Sequence, residues 1–414
     1  MNLLLAIMAG TLLVLTIVSG WIKERMWGSE TLACLLVGLA IGPLGFGVLS
    51  LDPARSVHDR EIWTHATRFT LALSVMSAAL SIPGGFLTLN RWPLFVLLGP
   101  GMLGMWVLAS GSAWLALGLS LPLALLVGAV VTPTDPVLAR SIVAGRLAKK
   151  RVPERLRVLI TAESGINDGL ALPLVMVGIV LLDGTSRPVE TSLLYLVWEV
   201  LGALVLGWLL GKGTGALFRF AHERDFAERE SLTATTLALA LLALSCVALL
   251  GADGILAVFV AGVVLRRAMK QEHQQAHEHF QDAVDRSLTL PIFVVLGASV
   301  PISGWLEGGW PLVIAALCIA LFRRVPIWLA LQLLARPYAG KSHALFAGWF
   351  GPVGVAALFY ACVALEHHAT PIVWHLVSLT VCISVVLAGL TGTPLTRQFP
   401  ETGDDADGSD GDDR

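Results

Sequence analysis

The chain has 414 residues, of which 56% are hydrophobic and only 14% charged, and its mean hydropathy is +0.76. A soluble globular domain is about one quarter charged, and a net charge of -2 without a basic tail gives nucleic acid nothing to bind. Apolar runs rich in Leu, Ala and Val recur from end to end at the length that crosses a bilayer as helix, without the alternation of a barrel strand. The expected fold class is therefore an all-α polytopic membrane protein.

Residues 2 to 19 form the first run. It lacks a positive leader and a small-residue cleavage site, so a retained helix is expected and not a signal peptide. Apolar, charge-poor runs number about thirteen. Their centres fall near Leu12, Ala40, Val75, Leu103, Val130, Leu170, Leu201, Leu242, Val260, Phe293, Ala320, Val355 and Val381. Lys and Arg follow the odd-numbered spans, as at Lys23, Arg25, Arg91, Arg146 to Arg157, Lys212 to Arg229, Arg266 to Arg286, Arg336 and Lys341. Little more than Arg55, Arg60 and Arg187 follows the even ones. Basic residues stay cytoplasmic, which puts the N-terminus outside and the C-terminus inside.

Between spans nine and ten, the polar stretch 271–286 carries His273 and His277, and is expected to be a solvated cytoplasmic helix or loop. Residues 399–414 hold Glu401 and six aspartates among Gly and Ser, the composition of a disordered acidic cytoplasmic tail. Cys34, Cys246, Cys318, Cys362 and Cys382 lie in apolar runs with no metal spacing, and are expected to be small buried hydrophobes.

Span six contains the costliest residues to bury. Glu163, Ser164, Asn167 and Asp168 stand at helical spacings of three and four, on one face. Carboxylates at membrane depth face a bundle interior or a watery cavity and mark ion or proton paths. Span five is broken by Thr132-Pro-Thr-Asp-Pro136. Pro133 and Pro136 donate no backbone hydrogen bond and disfavour helix just before them, so the chain at Thr134 and Asp135 should be extended. Span twelve is broken likewise by Gly348-Trp-Phe-Gly-Pro-Val-Gly354, which includes Gly351 and Pro352.

If span seven separates two six-span halves, these breaks occupy corresponding places in halves of opposite orientation. Paired interrupted helices of this kind point to a transporter's binding site. In span eleven, Arg323 and Arg324 need a carboxylate, and Glu163 is the obvious partner. Glu199 in span seven is expected at an interface or in an interhelical hydrogen bond, with Arg68 and Arg140 as anchors at span ends.

Thr134-Asp-Pro136 followed by Glu163-Ser-x-x-Asn-Asp168 resembles the monovalent cation:proton antiporters of the NhaP and NHE type, and hydropathy extends the resemblance over residues 1–398. It implies two inverted six-helix repeats with discontinuous crossing helices, the NhaA/NhaP-like fold, in a homodimer in the bacterial inner membrane. A mobile core of spans 4–6 (about 94–182) and 11–13 (about 311–396) would work against a dimerisation scaffold of spans 1–3 and 7–10. Asp168 would bind cation or proton, with Thr134, Asp135 and Ser164 lining the site. Asn167 and Glu163 would organise it, and Arg324 rather than Arg323 would pair with Glu163.

The family's Asn-Asp pair implies electroneutral exchange of Na⁺ or K⁺, with Li⁺ a third candidate, for H⁺, with no cofactor. Unlike some relatives, this chain has no carboxylate between Phe69 and Leu87 in span three to supply a further ligand. The competing readings are a cation channel, for which no repeated carbonyl-ring filter is visible, and a non-transporting membrane assembly protein. An intramembrane enzyme is disfavoured because no Gly-x-Ser-x-Gly elbow occurs.

Overall fold

The computed structural model describes residues 6, 8–14, 17, 30–49, 51–136, 138–139, 146–184, 189–224, 231–268, 287–336, 338 and 340–399. His273 and His277, the rest of the 271–286 stretch, Arg140 and the acidic residues of the tail lie outside the described residues. After a helical segment at 8–14, the main helices are α1 (Glu30–Ile41), α2 (Val57–Ser81), α3 (Arg91–Leu117), α4 (Leu121–Val131), α5 (Glu154–Asp183), α6 (Val189–Glu223) and α7 (Ser231–Leu249). They continue as α8 (Gly254–Ala268), α9 (Ser287–Ala298), α10 (Ile302–Phe322), α11 (Val325–Leu331), α12 (Lys341–Trp349), α13 (Val355–Glu366) and α14 (Ile372–Arg397). Every span centre from Leu12 to Val381 falls on a helical residue, and there is no strand among the described residues.

Five stretches among the described residues are long and apolar enough to cross a membrane: α3, α5, residues 194–221 of α6, residues 302–331 and α14. Their outward faces are apolar, with Val107 and Leu115 on α3 and Leu194, Leu201 and Trp208 on α6 all exposed. Such surface suits lipid, in which every backbone polar group must be satisfied internally. Cys246, expected to be buried, is among the exposed residues of α7.

Local chemistry explains the interruptions. Pro100 inside α3 coincides with a wide π turn over Leu97–Gly101. Helix α10 kinks at Gly309 (φ 55°), just before Pro311. It ends at Phe322, and Arg323 and Arg324 form a bend before Pro326 restarts the helix within its first turn. The arginines therefore occupy a third break, where the sequence alone suggests a continuous span.

The two central breaks cross. Helix α4 stops at Val131, residues 132–135 are not helical, and helix resumes at Pro136; α12 and α13 are separated by the non-helical residues 350–354. Asp135 N–H donates to the Pro352 carbonyl (2.9 Å). The Asp135 carboxylate in turn accepts from Leu138 N–H (3.0 Å) on its own chain and from Val355 N–H (2.8 Å) on the other. Residue 354 must be glycine because a methyl group there would overlap the Asp135 carboxylate. We expect Gly354→Ala to lower stability by about 1–3 kcal/mol through overpacking, read as a drop in melting temperature in detergent; wild-type melting would contradict the crossing.

Candidate functional site

Helix α5 carries its polar residues into this crossing. Glu163, Ser164, Asn167 and Asp168 are all fully buried. Asn167 acts as the hub: its Nδ2 donates to Thr134 Oγ1 (2.8 Å) and Glu163 Oε1 (3.0 Å), and its Oδ1 accepts from Thr134 N–H (3.1 Å). The carboxamide thus clamps extended chain that has no helical partner for that N–H. Thr134 Oγ1 also lies 3.0 Å from Ser164 Oγ, one helical turn from Asp168.

The two arginines separate their tasks. Arg324 makes a bidentate ion pair with Glu163, at 2.9 Å to Oε1 and 2.7 Å to Oε2, and donates through Nε to the Ala347 carbonyl (3.0 Å). Both partners are buried. Arg323 does not pair with Glu163. Its guanidinium donates to the carbonyls of Val131, Thr132 (2.6 Å) and Pro133 (3.1 Å) at the end of α4, and to Gly351 (2.8 Å) in the opposite break. A cation among carbonyls at helix C-terminal ends has the sign that the helix dipole favours.

Asp135 also differs from its expected place as a direct ligand. Both of its oxygens are engaged by the N–H groups that begin the two half-helices, so it caps helix ends where the sequence suggests an ion-lining carboxylate. Pro133, Pro136, Gly351 and Pro352 supply the backbone of the crossing.

Asp168 is the exception in this network. It is 0% exposed, yet neither of its carboxylate oxygens has a hydrogen-bond partner. Its backbone carbonyl accepts from the hydroxyl of Tyr360 on α13, and it lies within electrostatic range of Asp135 and Glu163. A bare buried carboxylate is among the most expensive groups a protein can hold, and it calls for a proton or a cation. The oxygens of Ser164 and Thr134 nearby are hard donors that suit a monovalent or other hard cation, and no cluster of three or more His, Cys, Asp or Glu suited to a metal ion occurs among the described residues.

Sequence reasoning passed over Asp253 and Tyr360, read Glu199 as interfacial or in an interhelical hydrogen bond, and placed Arg68 at a span end. Asp253 is fully buried before α8, and its N–H donates to the Glu199 carbonyl (3.1 Å). The visible signal was a lone aspartate in Gly251-Ala-Asp-Gly254 between two apolar runs.

Comparison with known proteins agrees with this architecture. Over 93% of its length or more, the chain superposes on solved forms of one archaeal protein, including the sodium proton antiporter MjNhaP1 from Methanocaldococcus jannaschii at pH 8, with a TM-score of 0.75, 21% identity and coverage of 96% of this chain and 99% of that one. In sequence it is 31% identical over 373 residues to the Na(+)/H(+) antiporter 2 of Zygosaccharomyces rouxii, covering 86% of this chain and 45% of the relative. It is 24% identical over 386 residues to the Na(+)/H(+) antiporter NhaP of Pseudomonas aeruginosa, covering 88% of each. The chain spans half or less of the length of three fungal antiporters it matches. The family model for the transmembrane sodium/hydrogen exchanger matches residues 9–398, and the chain belongs to that family of membrane proteins.

Proposed function

We propose that this protein is a secondary active antiporter that exchanges Na⁺ or K⁺, with Li⁺ a third candidate, for H⁺ by competition at Asp168. The observation that carries this reading is the unpartnered, fully buried carboxylate of Asp168 beside two crossed, interrupted helices. A proton and a hard cation each neutralise it, and they cannot do so together. An empty, charged Asp168 moving through the low-dielectric interior is costly, so only the loaded forms move readily and the two fluxes are coupled. Each loaded form carries one proton or one monovalent cation across, so one-for-one exchange moves no net charge.

Ser164 and Thr134 contribute ligand oxygens in this scheme, while Asn167, Glu163 and Arg324 hold them in place. Asp135 and Arg323 act on the helix ends and not on the ion directly. The remaining features of the proposal are thirteen crossings, an external N-terminus and a cytoplasmic C-terminus in the plasma membrane, and a homodimer. A core of spans 4–6 and 11–13 moves against spans 1–3 and 7–10.

In proteoliposomes, wild type should collapse an imposed pH gradient on addition of Na⁺ or K⁺ even with the membrane potential clamped, and Asp168→Asn should abolish this while remaining folded. Cation-dependent proton flux retained in Asp168→Asn would falsify the assignment. Glu163→Gln and Arg324→Ala should each destabilise the protein by roughly 3–5 kcal/mol, because each strands a buried charge or its donors. Wild-type melting of both variants would remove the ion pair from its proposed organising role.

A further inference from the structure

Asp253 stands before α8 as its cap: Oδ1 accepts from Ile255 N–H (2.8 Å) and Leu256 N–H (3.1 Å). Capping uses only that oxygen, and an asparagine caps equally well. The second oxygen, Oδ2, is buried without a partner, on a residue that is 0% exposed. Glu199 on α6 has a buried, unpartnered Oε2 as well. Two idle carboxylate oxygens on adjoining elements exceed what helix capping requires.

Their depth can be read from the packing. Glycine at position 169, next to Asp168, abuts α8 so closely that a Cβ there would lie 2.8 Å from Leu256 Cα. Asp253 precedes Leu256 by three residues, about 4.5 Å of helix rise. The displacement is toward the face where α5 ends and α6 begins: the Asp253 N–H bonds to the Glu199 carbonyl (3.1 Å), and Trp198 Nε1 bonds to Leu250 O (3.0 Å). Tyr360, whose hydroxyl donates to the Asp168 carbonyl, lies within electrostatic range of Asp168, Asp253 and Glu199 together. The other charge facing Asp253 is Arg68 on α2.

We infer that Asp253 and Glu199 form an entry station for the exchanged ion, offset from Asp168 toward the side of the membrane where α5 ends, with Tyr360, bonded to the Asp168 carbonyl, on the route between them. This rests on the reading of Asp168 as the exchanging group. The station takes a monovalent cation or a proton at its idle oxygens and passes it to Asp168. By the distribution of basic residues that face is the outer one.

The test uses proteoliposomes of defined orientation, with Na⁺ and K⁺ titrated from each face and melting measured on the same preparations. Asp253→Asn keeps the cap, and Glu199→Gln caps nothing. Each should raise the apparent KM roughly tenfold for cation presented at the α5 C-terminal face, the scale of one charge acting over about 12 Å at an effective dielectric of about 20. The opposite face and the melting temperature should be little changed, and Asp253→Glu should recover part of the loss. Wild-type KM at both faces in both variants overturns the station, as does an equal rise at both faces accompanied by lower melting, which marks a structural role. Asp168→Asn, run alongside, separates the readings: exchange that survives it overturns the proposed function and the station together, whereas a dead Asp168→Asn beside an unaffected Asp253→Asn overturns the station alone.

Discussion

The site depends on one constraint: four helix ends meet inside the protein, where water cannot satisfy them. Backbone N–H groups that begin two half-helices need an acceptor, and carbonyls that end the other two need a donor. Asp135 serves both beginnings and Arg323 serves both ends. A carboxylate at the positive ends and a guanidinium at the negative ends each match the local dipole, so two side chains tie the crossing together.

The charge balance of that arrangement has a chemical consequence. Among the described residues, the buried charged groups around the crossing are the carboxylates of Asp135, Glu163 and Asp168 and the guanidiniums of Arg323 and Arg324. Two of the carboxylates are matched in number by the two guanidiniums, and the third, Asp168, is the one whose oxygens have no partner. With its carboxyl ionised the cluster carries one surplus negative charge, which one proton or one monovalent cation cancels. A divalent cation would leave a surplus positive charge in the same low-dielectric surroundings. Under the proposed function, monovalent selectivity would then follow from the arginine count around the crossing as much as from the donor atoms.

Much of this was legible in the sequence, for identifiable reasons. Proline chemistry forces the breaks at 132–136 and 350–354, and the helical spacing of Glu163, Ser164, Asn167 and Asp168 puts them on one face whatever the tertiary packing. The partners across the fold were less legible. Nothing local distinguishes Arg323 from Arg324, because adjacent residues on a bend point in different directions and only the packing decides which one meets Glu163. Asp135 looked like an ion ligand because sequence gives residue type and not the N–H groups that a distant strand of chain brings to it. Asp253 was hidden for a related reason: a lone aspartate between apolar runs reads as a loop, and its burial depends on α6 lying against α8.

The same packing suggests where the molecule can slide. The crossing is joined by directional hydrogen bonds and a buried ion pair, and such contacts resist relative motion of the parts they join. At the face between α5 and α8 the contact is different, since Gly169 lies against the backbone and Cβ of Leu256 with no polar bond between them. Polar ties from α2 to the end of α13 gather near one end, where Arg60 donates to the Leu365 carbonyl (2.9 Å) and Thr64 to the Glu366 carboxylate (2.8 Å). Under the proposed function, a smooth apolar seam beside a rigid polar cluster would let Asp168 travel with its ligands as a unit, at the cost of a few exchangeable surface bonds. The strength of the crossing and the weakness of the seam would then be two requirements of one mechanism: the ion site stays intact while its surroundings change.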